Sequence, residues 1–373
     1  MKKLAIIGAS YLQKPLVLKA KEMGLETHVF AWREGNVVED ICDYYYDISI
    51  LEKDLILNKC IDINIDGIIS IASDIAMPTV NYVAQKLNLK GNSLISTIIS
   101  TDKFEMRNAL TKAGLPCPNF QFYSKGKIKN LEKLRFPIIV KPTDRSGSRG
   151  VTKVENAKEI NNALKEAIDQ SINKRVIVEE FIKGKEFSVE AISYNGYHEI
   201  LAITDKVTTG APFFVEIAHH QPAQITNELK NKILTISKLA LNALQIENGA
   251  SHTEIIVTNE EIIIVEVAGR MGGDFIGSTL TYISTGIDTL NAVINISLGI
   301  KPELVSKFKP QFSGIHFLTN NRSWVEEVIK AKPDFLHEAE IFYNIDEENL
   351  NNSSNRRGYF IYKYSKRIDN EYS

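Results

Sequence analysis

The stretch "SHTEIIVTNEEIIIVEVAGR", which covers Ser251–Arg270, decides how this chain is expected to fold. Two runs rich in isoleucine and valine flank a polar turn at Thr258–Glu261, and this pattern predicts an antiparallel β-hairpin. Glu254 and Glu266 lie twelve positions apart across the turn, so a three-residue turn would set them directly opposite each other. Two carboxylates in that position repel each other unless a cation lies between them. Because such oxygen donors suit Mg²⁺ with bound phosphates, the hairpin predicts a metal site.

The alternative is that one or both of these carboxylates point to water. Val265 and Val267 flank Glu266 in a strand that has the composition of a buried core strand. Burying a lone carboxylate there would be costly, which favours the metal site over the solvated arrangement.

A second stretch, "IIVKPTDRSGSRGV" at Ile138–Val151, ends an apolar strand with Lys141 and continues into the loop Ser146–Gly150. Glycines let backbone N–H groups turn toward an anion, and the serine hydroxyls add further donors. A lysine at the end of the strand places a positive charge against a phosphate. The spacing does not match the P-loop pattern GxxxxGK[ST], so an ordinary surface turn is the alternative for this stretch taken alone.

A third stretch, "VIVEEFIKGKEFSVEA" at Val176–Ala191, runs an apolar strand into Glu179 and Glu180 and places Glu186 shortly after a glycine. An adenine base needs an apolar slot with backbone groups at its edge, and a ribose needs an acceptor for its hydroxyls. The residues from Glu179 to Glu186 could supply these in turn. An edge strand that carries solvated acids is the alternative.

The chain begins with "LAIIGASYLQKPLVLKAKEMGLETHVF", Leu4–Phe30, which has the pattern of strand, turn, helix and strand. Ser10 and Gln13 stand where a dinucleotide-binding turn needs glycine for the close approach of a pyrophosphate. Alternating strands and helices continue to about residue 97, with strands at Thr27–Ala31 and Asp66–Ser73, and predict a parallel sheet. The turn is therefore expected to be structural and to border an acceptor substrate.

Composition narrows the classes of protein further. The 373 residues predict two or three domains, and the net charge of −2 provides no bulk attraction to nucleic acid or to an anionic membrane. Cys42, Cys60 and Cys117 form no CxxC pair, which argues against a disulfide framework or a zinc site and favours a reducing compartment. The first apolar run stops near Ala9, and no run approaches the ~20 residues of a membrane span. These features predict a cytoplasmic protein with no nucleic-acid or membrane partner.

Five stretches in this order resemble the ATP-grasp superfamily, and within it the carboxylate–amine ligases similar to L-amino acid ligases and carbamoyl-phosphate-synthase-type modules. The stretches are "SDIAMPTVNYVAQKLNLKGN", "TDKFEMRNALTKAGLPCP", "VKPTDRSGSRGV", "VEEFIKGKEFSVEA" and "HTEIIVT" followed by "IIIVEVAGRMGGD". The resemblance implies a fold of α/β and α+β class. A Rossmann-like preATP-grasp domain would span 1–97, and an ATP-grasp domain would span 98–300 with a lid subdomain at about 116–182. An α+β portion at 301–373 would complete the catalytic domain.

The resemblance also implies roles for individual residues. Lys103 and Lys141 would contact the phosphates of ATP, and Lys141 would serve catalysis together with Arg270, which would face the transferred phosphate. Glu254 and Glu266 would bridge two Mg²⁺ ions, with Mn²⁺ as an alternative. The other nucleotide-binding residues implied are Ser146, Gly147, Ser148 and Gly150 in the lid, Glu179, Glu180, Phe181 and Ile182 around the adenine, and Glu186 at the ribose.

Two positions qualify this assignment. Ala268 stands where many ATP-grasp enzymes carry an asparagine as a further metal ligand, so water is expected to complete the second Mg²⁺ shell. The pair His219–His220 lies in a polar stretch that is similar to the acceptor loop of related ligases. His220 is the predicted assistant in removing a proton from the amine, and a structural role for it is the alternative.

The implied reaction joins a carboxylate to an amine at the expense of ATP. An acyl phosphate forms, the amine displaces the phosphate, and an amide leaves together with ADP and phosphate. The substrates would be small molecules, an amino acid with another amino acid or with a metabolite such as a sugar acid, and the enzyme could be a homodimer. A bicarbonate-activating carboxylase or a carbamoyl-phosphate-synthase-like enzyme is the alternative within the superfamily. A nucleotide-binding protein without activity, or an oxidoreductase, is the alternative outside it.

Overall fold

The structure is a computed structural model that describes residues 1–124, 127–128, 131–342 and 350–369. The described residues form a four-stranded, a five-stranded and an eight-stranded sheet. Among these residues, no helix is both long enough and apolar enough to cross a membrane.

The amino-terminal part of the chain folds into the four-stranded sheet with helices packed against it. Its elements are β1 (Lys3–Ile7), α1 (Lys14–Glu22), β2 (Glu26–Ala31), β3 (Tyr44–Asp47), α2 (Lys53–Ile63), β4 (Gly67–Ile69) and α3 (Met77–Lys86). All pairs are parallel, in the order β3-β2-β1-β4, which confirms the predicted parallel sheet. Leu4–Ile7 are fully buried, as expected for a continuous apolar strand covered by helices.

Two elements of this sheet go beyond the sequence prediction, and one predicted strand is shorter. β3 and α2 carry no clear apolar period, and Tyr44 is 49% exposed because β3 lies at the sheet edge. The third predicted strand ends at Ile69, four residues before Ser73. The chain turns away from the sheet at this point and carries the residues after Ile69 toward the large cavity described below.

Two short helices, α4 (Leu94–Thr101) and α5 (Lys103–Lys112), follow the amino-terminal sheet. α5 begins at Lys103 because the carboxylate of Asp102 caps it, accepting hydrogen bonds from the backbone N–H groups of the next turn at 3.0 and 3.1 Å. The backbone N–H of Lys103 donates to the carbonyl of Thr143 at 2.8 Å. The start of α5 is thereby fixed close to Lys141.

The five-stranded sheet and one helix form the next unit. Its elements are β5 (Phe120–Ser124), β6 (Lys127–Ile128), β7 (Ile138–Pro142), β8 (Thr152–Val154), α6 (Ile160–Gln170) and β9 (Val176–Glu180), and the strand order is β6-β5-β9-β7-β8. Ile138, Val140 and Leu164 belong to the core between the sheet and α6. β7 and β9 are antiparallel neighbours, so Lys141 and Glu179 lie diagonally on the same face.

The eight-stranded sheet is antiparallel and has the order β14-β13-β10-β11-β12-β15-β17-β16. The elements of this unit are β10 (Lys185–Tyr194), β11 (Tyr197–Thr208), β12 (Glu216–Gln221), α7 (Asn227–Ala243), β13 (Gly249–Val257), β14 (Ile262–Ala268), α8 (Thr281–Thr285), α9 (Thr289–Ser297), β15 (Phe312–Leu318), α10 (Ser323–Ala331), β16 (Leu336–Ile341) and β17 (Gly358–Tyr364).

The two faces of this sheet differ in polarity around β10, β13 and β14. One face packs against α7 through apolar residues such as Phe187, Val189 and Ile264. The opposite face carries the ionisable side chains of this region, because alternate residues of a strand point to opposite sides. These side chains are Glu186, Glu190, Lys206, His252, Glu254 and Glu266.

Candidate nucleotide and metal site

A cavity of about 920 Å³ is lined by residues from all three sheets and their connections. We call the part lined by Lys141, Ser146–Arg149 and Glu179–Ile182 the lid end. We call the part lined by Gly8–Gln13 and Asp274 the amino-terminal end. The polar face of the eight-stranded sheet lines the cavity between these two ends.

The predicted carboxylate pair lies between the two ends. The register of β13 and β14 sets Glu254 opposite Glu266, which confirms the predicted facing arrangement. The predicted three-residue turn is wrong, because the N–H of Thr258 donates to the carbonyl of Glu261 and closes a two-residue loop. A β-bulge at Val265 supplies the additional residue and brings Glu266 onto the face of Glu254.

Arg107 of α5 stabilises this bulge. Its guanidinium is fully buried and donates to the carbonyl of Val265 at 2.5 Å. The same guanidinium pairs with Glu179 at 2.8 Å. One buried arginine therefore links the carboxylate hairpin to the end of β9. Sequence reasoning missed Arg107, because a bulge and its partner leave no local pattern.

Each carboxylate of the pair is held by a lysine. Lys103 Nζ donates to Glu266 at 3.1 Å, and Lys206 Nζ donates to Glu254 at 2.7 Å. Lys206 also lies 3.6 Å from Glu216 and was not predicted. Burial lowers the pKa of Lys206, but the carboxylates of Glu254 and Glu216 raise it above its ordinary value. Burial raises the pKa of Glu254, yet Lys206 and His252 hold it well below the usual range, so the carboxylate is charged.

The two facing carboxylates fit Mg²⁺ or Mn²⁺, both of which favour oxygen ligands. The described residues include no cluster of three or more His, Cys, Asp or Glu side chains that could hold a metal ion. Phosphate oxygens and water would therefore have to complete the coordination. Ala268 is opposite His252 in the sheet and offers no donor, in keeping with the expected role of water.

Lys141 and Glu179 form a buried ion pair at 2.7 Å at the lid end. Burial lowers the pKa of Lys141, and the attraction of Glu179 opposes this effect. The positive charges of Arg107 and Lys103 lower the pKa further, so that it lies below its ordinary value. Burial raises the pKa of Glu179, but Arg107 and Lys141 bring it below the ordinary value. The side chain of Glu179 thus holds Lys141 in place at the cavity wall.

Glu180 directs its side chain away from the cavity. Its carboxylate accepts hydrogen bonds from Asn119 at 3.0 Å and from the backbone N–H of Arg135 at 2.8 Å. Ile139, Ile182 and Val265 line the neighbouring part of the cavity and make it apolar. This arrangement agrees with a role for the backbone of residues 180–182 beside an adenine base.

Glu186 lies on the cavity wall near Lys206. Burial raises the pKa of Glu186, and Lys206 opposes that effect. Its carboxylate could accept hydrogen bonds from the ribose of a nucleotide whose base lies in the apolar slot, which is the part of the cavity lined by Ile139, Ile182 and Val265.

The loop Ser146–Gly150 crosses the cavity at the lid end. Gly147, Ser148 and Gly150 have φ values of 68°, 58° and 68°, so the backbone turns tightly through the left-handed region. The hydroxyl of Ser148 donates to the carbonyl of Phe214 at 3.3 Å, and Arg149 donates to the hydroxyl of Ser354 at 3.1 Å. These contacts hold the loop against two segments of the eight-stranded unit.

Arg270 lies on the cavity wall and makes a bidentate pair with Asp74, which follows β4. Its Nε and Nη2 donate to the two carboxylate oxygens of Asp74 at 2.8 and 2.7 Å. Burial lowers the pKa of Arg270, but Asp74 raises it above the ordinary value. The predicted catalytic arginine therefore connects the eight-stranded unit to the amino-terminal sheet.

A second bidentate pair occupies the amino-terminal end. Arg356 donates to the two oxygens of Asp274 at 2.7 and 2.6 Å, and His219 Nε2 lies 3.2 Å from the same carboxylate. Burial raises the pKa of Asp274, yet Arg356 and His219 hold it far below the usual range. His219 and Asp274 lie in stretches that the sequence relates to substrate binding, but no role was predicted for their side chains. Arg356 was not predicted, because it lies far from both in the chain.

The structure does not bring His220 to the cavity. His220 is buried, and its Nδ1 lies 3.0 Å from the hydroxyl of Tyr362 on β17. Burial holds the pKa of His220 far below its ordinary value, and His316 and Arg367 lower it further. Adjacent residues of a strand face opposite sides, so His219 lines the cavity in its place.

The turn Gly8–Gln13 borders the cavity and is filled by its own side chain. Gln13 Oε1 accepts hydrogen bonds from the backbone N–H and the hydroxyl of Ser10 at 3.1 and 2.6 Å. Its Nε2 donates to the carbonyl of Ile71 at 2.7 Å. The N–H of Ser10, which a phosphate would need, is therefore already satisfied. This geometry supports the prediction that the turn is structural.

Comparison with known proteins places this site in a family context. The family model described as ATP-grasp domain matches residues 134–279. Alanine–anticapsin ligase of Bacillus subtilis (strain 168) is 26% identical over 71% of this chain and 64% of that protein. D-alanine–D-alanine ligase of Flavobacterium johnsoniae is 27% identical over 45% of this chain and 54% of that protein. The matched part of the chain thus spans less than two thirds of the length of these relatives.

A solved L-amino acid ligase from Bacillus licheniformis shares the fold, with a TM-score of 0.84 and 24% identity over 98% of this chain and 94% of that one. This likeness shows that the chain has the mixed α/β fold of that ligase. Residues 134–279 thus match an ATP-grasp domain, and the two relatives described above are ligases. The resemblance and the mixed α/β fold class predicted from the sequence are confirmed.

Proposed function

We propose that this protein is an ATP-dependent ligase that joins a carboxylate to an amine through an acyl phosphate and releases ADP and phosphate. The observation that carries the proposal is the facing pair Glu254 and Glu266, which lies between the two ends of a single cavity. Both curated relatives described above are ligases named for alanine or D-alanine, which supports a C–N bond-forming reaction.

In this proposal the lid end binds ATP. The apolar slot beside Ile139 and Ile182 holds the adenine, Glu186 accepts hydrogen bonds from the ribose, and Lys103 and Lys141 contact the phosphates. Divalent metal ions at the two facing glutamates would neutralise negative charge on the phosphates. Glu254 and Glu266 would hold those ions together with the phosphate oxygens. Lys103 and Lys206 orient the two carboxylates before ligands bind.

The amino-terminal end positions the acid and the amine. One oxygen of the acid attacks the γ-phosphorus, the bond to the leaving oxygen breaks, and ADP departs. The amine nitrogen then attacks the carbonyl carbon, and the C–O bond breaks with release of phosphate. Arg270 orients the acid, and His219 on the cavity wall replaces His220 as the candidate acceptor of the amine proton. The loop Ser146–Gly150 excludes water that would hydrolyse the acyl phosphate.

The same proposal includes finer expectations. ATP-grasp ligases use ATP with divalent metal ions in general, and two Mg²⁺ or Mn²⁺ ions are proposed for this chain. The substrates would be an amino acid and a small carboxylate such as another amino acid or a sugar acid. Cys42, Cys60 and Cys117 are free, which supports the prediction of a reducing cytoplasm. Dimerisation stays a prediction that light scattering of the purified protein can test.

The function is tested with a screen of the purified chain with ATP and Mg²⁺ over amino acids, sugar acids and amines. Phosphate release should require one acid and one amine together, and mass spectrometry should detect their condensation product. Hydroxylamine should trap the acyl phosphate as a hydroxamate. Release of AMP and pyrophosphate would contradict the proposal, as would ADP formation that is independent of any acid.

A bicarbonate reaction without an organic acid is measured in the same screen. The amino-terminal end offers room and two ion pairs beyond the nucleotide slot, which suits an acid larger than bicarbonate. ADP release that depends on bicarbonate alone would favour the carboxylase-type alternative.

A further inference from the structure

Glu190 on β10 is a buried acid that the proposed reaction does not use. Its side chain is 4% exposed, and the residue lies behind the cavity wall instead of lining it. Burying a carboxylate is costly unless the protein supplies partners for it. Glu190 has two partners, and each of them leads to a different part of the candidate site.

The first partner is His252 on the neighbouring strand β13. The sheet register sets Glu190 opposite His252, and the two side chains are hydrogen-bonded through Oε1 and Nδ1. The other ring nitrogen, Nε2, lies 3.3 Å from Oε1 of Glu254. A histidine ring with both nitrogens engaged has a fixed orientation. The fixed ring therefore couples the position of Glu190 to the position of the Glu254 carboxylate.

The second partner is the backbone of the segment after β14. The N–H of Gly272 donates to Oε2 of Glu190 at 3.0 Å. A Cβ atom at Gly272 would lie 2.7 Å from His252 Nδ1 and 2.8 Å from Glu190 Oε1, and one at Gly277 would lie 2.7 Å from Glu190 Oε2. Only glycine lets the chain approach the carboxylate this closely at both positions. Glu190 thereby anchors the segment that starts at Arg270.

We infer that Glu190 is a positioning residue that fixes Glu254, through His252, and the segment carrying Arg270, through the N–H of Gly272. The inference rests on the proposed function, because it takes Glu254 to be a metal ligand. Residues that orient metal ligands from behind change metal affinity about 10- to 100-fold when they are replaced. A purely structural ion pair would change the stability of the fold without this metal-specific effect.

The test measures binding of ADP with Mn²⁺ and ADP alone in EDTA, using calorimetry for ADP and the electron paramagnetic resonance signal of free Mn²⁺. Glu190→Gln keeps the size of the side chain but removes its charge. Its Mn²⁺-dependent ADP affinity should fall about 10- to 100-fold. Its ADP affinity in EDTA should stay close to the wild-type value. Glu199→Gln, on the neighbouring strand β11 and away from the cavity lining, is the matched control and should bind like wild type.

Two variants of His252 separate its two contacts. His252→Asn places an amide near the position of Nδ1 and should keep the contact to Glu190 while losing the one to Glu254. His252→Gln reaches toward the position of Nε2 and should keep more of the contact to Glu254. We expect the larger loss of Mn²⁺-dependent affinity in His252→Asn. This pair also replaces Glu190→Gln as the test if that variant does not fold.

The outcomes distinguish this inference from the proposed function. If Mn²⁺ strengthens ADP binding by wild type, and the Glu190 and His252 variants show the same enhancement, the inference fails and the proposed function stands. If Mn²⁺ has no effect on ADP binding by wild type, the metal assignment of Glu254 and with it the proposed function fails. A lower melting temperature with an unchanged Mn²⁺ enhancement would identify Glu190 as purely structural.

Discussion

The lid end and the amino-terminal end of the cavity both hold their charges in ion pairs, and the geometry of these pairs differs. Between the lid end and the carboxylate pair, single ammonium groups meet carboxylates, as in Lys141–Glu179 and Lys103–Glu266. At the amino-terminal end, each guanidinium donates two parallel hydrogen bonds to one carboxylate, as in Arg270–Asp74 and Arg356–Asp274.

This difference suits two kinds of ligand. A lysine is a flexible point charge that can turn from a carboxylate to a phosphate when a nucleotide binds. A bidentate arginine–carboxylate pair is planar and directional, so it fixes the shape of a surface. We therefore expect the charged side chains of the lid end to change partners when the proposed nucleotide binds. The amino-terminal end should instead present a preset shape that selects the acid and the amine.

The largest expected effect lies at the carboxylate pair between the two ends. Glu266→Gln should lower the rate of ATP-dependent phosphate release more than ~100-fold, because direct metal ligands matter more than the groups behind them, which change affinity about 10- to 100-fold. The loss of charge also leaves Lys103 buried without its carboxylate partner. Initial rates at saturating acid and amine measure the effect.

The matched control for this prediction is Glu260→Gln, an exposed residue in the turn of the same hairpin. It should retain the wild-type rate. A Glu266→Gln enzyme that kept more than about a tenth of the activity would refute the metal role of this hairpin. The cavity would then lack the proposed metal site between its two ends.

The sequence could predict the lid end because its groups lie on short motifs that one strand or one loop positions. Lys141, Ser146–Gly150 and Glu179–Ile182 each follow an apolar strand, and strand periodicity is enough to place them. Arg270 was predicted at the other end, but the ion pairs of the amino-terminal end could not be predicted in this way. Its pairs join residues that are 196 and 82 positions apart, Arg270 with Asp74 and Arg356 with Asp274. No local pattern records such contacts.

Two β-bulges explain the remaining wrong predictions, which concern the faces on which single side chains lie. Strand alternation reverses the face of a side chain with each step, so one extra residue changes which side chain reaches the cavity. The bulge at Val265 brings Glu266 to the face of Glu254 despite the tighter turn. A second irregularity, between β11 and β12, puts Glu216 and His219 on the cavity side and leaves His220 in the core. The sequence carries no signal for either bulge.

The next largest effect separates the two ends. Arg270→Lys keeps the charge but cannot form the fork with Asp74. Hydrogen bonds to charged groups contribute about 1.5–3 kcal/mol, so kcat/KM for the acid should fall about 10- to 100-fold. The affinity for ADP with Mn²⁺ should change much less. Steady-state kinetics and calorimetry on the same preparation measure both quantities.

A parallel loss of nucleotide affinity in Arg270→Lys would show that the two ends do not act independently. Asp74→Asn is the reciprocal variant, and it should affect the same substrate because it disturbs the same pair. An effect of Asp74→Asn on a different substrate would mean that the pair does not act as a unit.

A smaller effect is expected at the second bidentate pair. Asp274→Asn leaves Arg356 with a neutral partner and removes one charge-assisted contact, a loss of about 1.5 kcal/mol that corresponds to roughly tenfold. The KM of one of the two small substrates should rise by that factor. The KM for ATP should not change, because the pair lies at the amino-terminal end. Kinetics with each substrate varied in turn identifies which of them the pair contacts.

The smallest expected effect lies at Glu180, whose neighbour Glu179 shares its motif but points the other way. The carboxylate of Glu180 faces Asn119 and Arg135 outside the cavity, and Arg135 is 84% exposed. Neither partner lines the cavity, so Glu180→Gln should bind ADP with the affinity of wild type. Ile139→Val is the contrasting variant, since it removes one methylene from the slot. A buried methylene contributes about 0.8 kcal/mol, which predicts about fourfold weaker binding.

Calorimetric titration of ADP into both variants decides between backbone and side-chain recognition at the lid end. A loss in Glu180→Gln larger than that in Ile139→Val would mean that the carboxylate turns inward to meet the base. The lid end would then select its ligand by a charged side chain, as the amino-terminal end is proposed to do. Equal ADP affinities of Glu180→Gln and wild type would instead support a slot that recognises the adenine through backbone groups and apolar contacts. The charged side chains around it would then act on the phosphates and the metal ions.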